Sequence, residues 1–193
     1  MLPNAMKAFR QRYPKVMVQI VEGLLPDVEN QLRAGSIDFY LGVAPREAPA
    51  FGLTMQQLFE NRRAVVCRKG HPLAASRSLK ALQNADWAIT GNDYNAEGDI
   101  ASLFERYQLR TPNVLFRARS AMSIMVTLGH SDLLAMLPVQ WSEFSMTRDT
   151  LQVIKIREIL PAPPIVLILR SGFPLTPAAE FFCDVLQRHG NAQ

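Results

Sequence analysis

Strand-sized apolar runs alternate with helix-patterned stretches along the whole chain, and that alternation narrows the folds open to it. The runs Ile37–Val43 (IDFYLGV), Ala64–Arg68 (AVVCR), Asp86–Thr90 (DWAIT), Asn113–Arg119 (NVLFRAR), Asp132–Pro138 (DLLAMLP), Leu151–Ile156 (LQVIKI) and Ile165–Arg170 (IVLILR) are short and nearly continuous. That is the pattern of strands covered on both faces. Lys15–Gly23 (KVMVQIVEG) alternates and reads as a further strand. Between them fall helical spacings. Leu2, Met6, Phe9 and Tyr13 share one face before Pro14, and Leu25, Val28 and Leu32 share another, with Gly35 as the C-terminal cap. Asp99 caps a helix carrying Ile100, Leu103, Phe104 and Tyr107, and Ser120 and Ser123 open an apolar helix that Gly129 closes. A helical turn is expected around Trp141–Phe144, and Thr176-Pro177 opens a last helix through Phe182, Val185, Leu186 and His189.

Strand–helix alternation implies an α/β protein with mostly parallel sheets. The short spans favour two small sheets over one wide one. Ala64–Arg68 and Ile165–Arg170 lie beside turn formers (KGHPL and LPAPP), so they are placed to carry the chain out to a second lobe and back. A cleft between lobes is then the default ligand site.

With 193 residues, 48% apolar and 20% charged, the chain can bury one large core or two small ones. No apolar run is long enough to span a bilayer. With Pro3 early and a charge at Lys7, no secretory signal is expected. Cys67 and Cys183 do not imply a disulfide framework, so a cytoplasmic protein is expected. The net charge of +4 comes from 21 basic and 17 acidic residues in scattered groups, such as Arg10, Arg12 and Lys15, or Arg62, Arg63, Arg68 and Lys69. Such a weak excess argues against direct DNA binding by these residues.

Catalytic patterns are missing. His71, His130 and His189 share no metal-ligand spacing with each other or with either cysteine, and Cys67-x-x-x-His71 is two ligands short of a zinc site. No nucleophile elbow, phosphate loop or dinucleotide fingerprint occurs. The chain is therefore expected to be neither an enzyme nor a holder of metal or cofactor. Three openings after strands remain: Gly42–Pro45, Thr90–Asn95 and Ser120–Ser123. In a parallel sheet such openings gather at one edge, where ligands bind. Ser-x-x-Ser at a helix start reads either as simple capping or, beside a second polar loop, as an anion cradle.

The ordered set AFRQRYPKVMVQIVEG, QLRAGSIDFYLGV, RKGHPLA, RSAMSIMVTLGHSDLLAMLP and IVLILRSGFPLTPAAEFF resembles the C-terminal effector-binding domain of LysR-type transcriptional regulators. EGLLPDVENQLRAGSIDFYLG and LKALQNADWAIT look most like the branch answering to aromatic acids or sulfonates. The resemblance implies a periplasmic-binding-protein-like fold of two α/β subdomains joined by two crossover strands. The first would hold residues 1–70 and 164–193, the second residues 71–163. It implies a small organic acid effector in the cleft, held by Thr90, Asn92, Ser120 and Ser123, with Met122 and Phe173 as apolar walls. It also implies a homodimer or homotetramer paired through the first helix (Leu2–Tyr13) and adjoining strand against the second lobe of a partner. DNA would be reached only through an N-terminal helix-turn-helix domain, which these residues do not include. The family's strand ahead of the first helix is also missing from them, and its loss would leave neighbouring backbone groups unpaired. A free-standing solute-binding protein of the same fold is the alternative.

Overall fold

A computed structural model describes residues 1–25, 27–91 and 94–190, with backbone alone for 94–97, 189 and 190. In chain order its elements are α1 (Leu2–Arg12), α2 (Glu29–Ala34), β1 (Tyr40–Val43), β2 (Leu53–Phe59), β3 (Arg63–Arg68), β4 (Asp86–Thr90), α3 (Tyr94–Arg106), β5 (Asn113–Ala118), α4 (Ala121–Gly129), β6 (Leu134–Pro138), β7 (Leu151–Ile154), β8 (Ile165–Arg170) and α5 (Pro177–Gly190). Single 3₁₀ turns occupy Leu79–Leu82 and Val139–Ser142. The chain divides into two compact units, Met1–Asn61 with Pro163–Gln193, and Arg62–Ala162. The first boundary lies ahead of the expected 70/71 division, because β3 pairs with β6 and β7 and so belongs to the second unit.

The first unit is built on a sheet of order β1-β8-β2, both pairings antiparallel. Central β8 buries Val166 and Ile168 against Val28, Leu32 and Tyr40, and Leu167 against Leu58 and Cys183 of α5. That two-sided burial explains its continuous apolar sequence. Beside it, α1 and α5 bury Ala5, Phe9, Phe182, Val185 and Leu186 together, with the Phe9 and Phe182 rings 5.0 Å apart. Gly35 ends α2 in the left-handed region at φ 80°, as expected of a C-terminal glycine.

Residues 15–23 do not form the expected strand. Lys15 lies in a turn and residues 16–23 have no regular secondary structure; among the described residues they join no sheet, and Met17 is 85% exposed. Alternation reports a local preference for extended backbone, whereas a strand also needs a partner. Only Val18 reaches the α1/α5 cluster.

The second unit holds a sheet of order β5-β4-β6-β3-β7. β4 runs parallel to β5 and β6, while β3 runs antiparallel to β6 and β7. The two sheets are therefore mixed or antiparallel rather than mostly parallel. Apolar runs report burial but carry no direction. Helices α3 and α4 make the crossovers that parallel strands require. Alternation along β4 sends Trp87 and Ile89 to one face, with Leu79, Leu82, Ile100, Leu103 and Phe104, and Ala88 to the other, with Val66, Ile124 and Leu128. Trp87 meets Phe104 edge-on at 5.7 Å. His71 ties the loop after β3 to the one before β6. Its Nδ1 accepts from the Leu73 N–H at 3.0 Å, so Nε2 donates to the Asp132 carbonyl at 3.0 Å.

Candidate functional site

The parallel strands β5, β4 and β6 bring their carboxyl ends to one edge of the second unit's sheet, where the following helix openings converge. Thr90 pairs with Ala118 at the last rung of β4 and β5, and the Gly91 N–H extends the contact to the Ala118 carbonyl at 3.1 Å. Two residues past Ala118, Ser120 caps α4. The structure thus sets Thr90 and the Ser120–Ser123 opening on the same edge of one rigid sheet.

Ser120 has extended dihedrals (φ −79°, ψ 126°), and its Oγ accepts from the Ser123 N–H at 3.4 Å. The hydroxyl is therefore turned onto its own helix as an N-cap. The Ala121 and Met122 N–H groups, in the first turn, have no acceptor within the helix. They and the exposed Ser123 hydroxyl are what this opening offers a ligand. Asn92 lies outside the described residues.

Half-buried Thr90 also lines a small hollow of about 40 Å³ with Arg63, Asp99 and Met136. Arg63 begins β3 and meets the Asp99 carboxylate at 3.6 Å, and its Nη1 also donates to the Pro161 carbonyl at 3.4 Å. Burial pushes the Arg63 guanidinium below its ordinary value, and the Asp99 charge opposes that shift. Sequence reasoning missed this pair because it placed Asp99 as a helix cap. In fact α3 begins at Tyr94, so Asp99 stands inside the helix and serves Arg63 instead. The lone signal was a strand opening on arginine in an otherwise apolar run.

Two further expected positions are exposed. Met122 is 49% exposed, on the outward face of α4, and Phe173 is 69% exposed in the loop after β8 of the first unit. No helix follows Gly42–Pro45, and that turn's polar groups are already engaged. Tyr40 Oη donates to the Val43 carbonyl at 3.1 Å, and the Ala44 N–H donates to the Pro164 carbonyl at 2.8 Å. A Cβ at Gly42 would lie 2.4 Å from Tyr40 Oη, so glycine is needed there for space.

Neither cysteine is poised as a nucleophile. Both are buried and free, and burial pushes the Cys67 thiol up to about 11 and the Cys183 thiol to about 12. Among the described residues no cluster of three metal-ligating side chains occurs, and no helix is long and apolar enough to cross a membrane.

Known proteins resemble this chain along almost its full length. It is 27% identical over 179 residues to the HTH-type transcriptional regulator GalR of Pseudomonas putida, covering 92% of this chain and 45% of GalR. It is 19% identical over 183 residues to the HTH-type transcriptional regulator TdcA of Escherichia coli, covering 95% of this chain and 58% of TdcA. The chain thus spans about half the length of these regulators. Among solved structures, the Synechocystis PCC6803 CcmR regulatory domain in complex with 2-PG superimposes with a TM-score of 0.80 at 19% identity, over 98% of this chain and 90% of that one. The effector binding domain of QuiR in complex with shikimate gives 0.78 at 17% identity, over 100% and 91%. The shared architecture is the periplasmic-binding-protein-like fold of LysR regulatory domains. Residues 1–191 match the LysR substrate binding domain, and the chain belongs to that family.

Proposed function

We propose that this chain is the effector-sensing part of a LysR-type transcription regulator, and that its effector is a small organic anion, an aromatic carboxylate or sulfonate. The observation that supports this reading is the Thr90–Ala118 rung, which leaves Thr90 and the α4 opening at the same sheet edge. Free N–H groups at the start of a helix favour negative charge, and hydroxyls add direction. In this reading the anion accepts from the first-turn N–H groups of α4, from Ser123 and from Thr90, with Asn92 as a further donor and Met122 as an apolar neighbour. The QuiR domain holds shikimate, a carboxylate, which supports an acidic ligand.

The protein would act in the cytoplasm as a homodimer or homotetramer and reach DNA through a separate helix-turn-helix domain. No chemical turnover is proposed. A free-standing solute-binding protein is the less favoured reading, because the relatives named above are transcriptional regulators.

Thermal denaturation of the purified chain with benzoate, benzenesulfonate, shikimate and aliphatic acids tests the proposal. A ligand at a hundredfold excess over Kd stabilises the folded state by about 2.7 kcal/mol, which moves the midpoint of a domain this size by several degrees. The expected result is a shift with at least one acid that Thr90→Val and Ser123→Ala each diminish. A shift that both variants retain would move the site elsewhere, and no shift with any acid would overturn the ligand class.

A further inference from the structure

Arg63 opens β3 with a charge at the edge where the other strands end. β3 runs antiparallel to β6 and Arg63 pairs with Pro138, so the start of β3 lies beside the carboxyl ends of β6 and β4. Alternation puts Arg63 on the face of Val65 and Cys67, which α3 covers with Ile100, Leu103 and Phe104. Asp99, the residue before Ile100, meets it there. Both side chains, and the hollow they line, belong to the second unit.

The pair is held loosely. Both contacts of the guanidinium run through Nη1, at 3.6 Å to Asp99 Oδ2 and 3.4 Å to the Pro161 carbonyl. Charge-assisted hydrogen bonds ordinarily close to about 2.7–2.9 Å. The more exposed Arg68–Asp132 pair does close, to 2.7 and 2.8 Å. A guanidinium carries several N–H donors, and among the described residues Nε and Nη2 of Arg63 have no acceptor. Arg63 and Asp99 are thus largely withdrawn from water, yet they leave open the hollow of about 40 Å³ that both line.

Size and charge limit what fills that hollow. About 10–15 Å³ of such space admits one water, whereas a whole ligand takes about 300–1,000 Å³. It therefore holds one polar substituent of a larger molecule. Its walls select the substituent. Arg63 donates and Asp99 accepts, and a hydroxyl answers both at once. A second carboxylate would satisfy Arg63 but be repelled by Asp99, and an apolar group would leave both side chains unsatisfied. Thr90 lines the hollow and pairs with Ala118, just ahead of the α4 cap. Neighbouring strands lie about 4.8 Å apart, so one substituted ring can place an acid at the α4 opening and a hydroxyl in the hollow.

We propose that Arg63 and Asp99 are specificity-determining residues of the acid site: they select an acid that carries a hydroxyl, which donates to Asp99 and accepts from Arg63, and they reject a second carboxylate. The inference rests on the acid site proposed above and adds the class of acid to it.

Isothermal titration calorimetry of the full chain with benzoate, each hydroxybenzoate isomer and each benzenedicarboxylate isomer tests it. At least one hydroxybenzoate is expected to bind about tenfold or more tightly than benzoate, and every dicarboxylate more weakly than benzoate. Asp99→Asn removes the repelling charge and keeps an accepting oxygen, so at least one dicarboxylate should gain on benzoate by about tenfold or more. Arg63→Gln should erase most of the preference for the hydroxyl. Each readout is a ratio of ligands within one protein, which a general loss of stability does not imitate. Should Arg63→Gln fail to fold, the ratios in Asp99→Asn decide. Equal binding of benzoate and all hydroxybenzoates, or an unchanged dicarboxylate-to-benzoate ratio in Asp99→Asn, would overturn the role of this pair. The acid site itself would still stand if Thr90→Val and Ser123→Ala weakened benzoate. Absence of binding by all of these acids, in the wild type and in Asp99→Asn, would instead overturn the acid site, and the role of the pair with it.

Discussion

Arg170, the last residue of β8, holds the carbonyl of Leu32 in α2 through Nη1 at 2.9 Å, and the same nitrogen reaches the Ile37 carbonyl at 3.0 Å. The Leu32 carbonyl already accepts from the Gly35 N–H at 3.2 Å, so Arg170 adds a charged second donor there and faces the negative end of the helix dipole. One side chain thus fastens the short α2 to the central strand of its sheet.

Arg170→Ala is expected to lower the stability of the chain by about 1.5–3 kcal/mol, the range for hydrogen bonds from a charged donor. Arg170→Lys should recover only part of this, since the shorter lysine side chain does not bring its ammonium to where Nη1 bridges both carbonyls. Urea midpoints at an unchanged slope measure both. A loss under 0.5 kcal/mol for the alanine variant would mean that water replaces the guanidinium without cost.

The Tyr40 phenol ionises at 10.0 in the unfolded chain and is pushed up to about 12 by burial in the fold, against a smaller opposing contact with the Leu25 backbone. The folded state therefore binds this proton more tightly. The resulting stability is full below pH 10 and is lost as pH rises through 12. Two units correspond to about 2–3 kcal/mol at most. Cys67 and Cys183 add losses of the same sign from pH 9 upward. Urea midpoints at pH 8 and pH 11 should therefore fall for the wild type, and fall less for Tyr40→Phe. Equal falls would remove Tyr40 from the account.

Helix α1 was legible because its information is local: Leu2, Met6, Phe9 and Tyr13 share a face, and Pro14 ends it. Gly35 was legible for the same reason, since only glycine takes φ 80° without strain. Ser120 was legible as a helix opening, and its side chain settles on the capping hydrogen bond. Non-local relationships escaped. Residues 15–23 alternate as a strand does, but pairing depends on backbone elsewhere. The Arg63–Asp99 pair joins the start of β3 to the middle of α3, and no spacing rule links those positions.

That pair carries a measurable coupling. Both side chains are largely withdrawn from water, at 16% and 26% exposure. Removing one partner leaves the other charged and poorly solvated, so Asp99→Asn and Arg63→Met are each expected to cost about 1–3 kcal/mol. The double variant should cost less than the sum, with a coupling of about 0.5–3 kcal/mol. Additive costs would show that the two side chains act independently.

Ser120 separates the structural role of the α4 opening from its proposed ligand role. Ser120→Ala removes the Oγ that accepts from the Ser123 N–H and should cost about 1 kcal/mol. Ser120→Asp keeps an accepting oxygen at the cap and adds a negative charge where the helix dipole favours it. Its melting point should equal or exceed that of the wild type. The same carboxylate would occupy the field an incoming anion needs and would repel it, so the acid-induced thermal shift should vanish in Ser120→Asp while surviving, reduced, in Ser120→Ala. A stable Ser120→Asp protein that still responds to the acid would show that the anion binds away from α4, and the assignment of Ser123 and the first-turn N–H groups would fall with it.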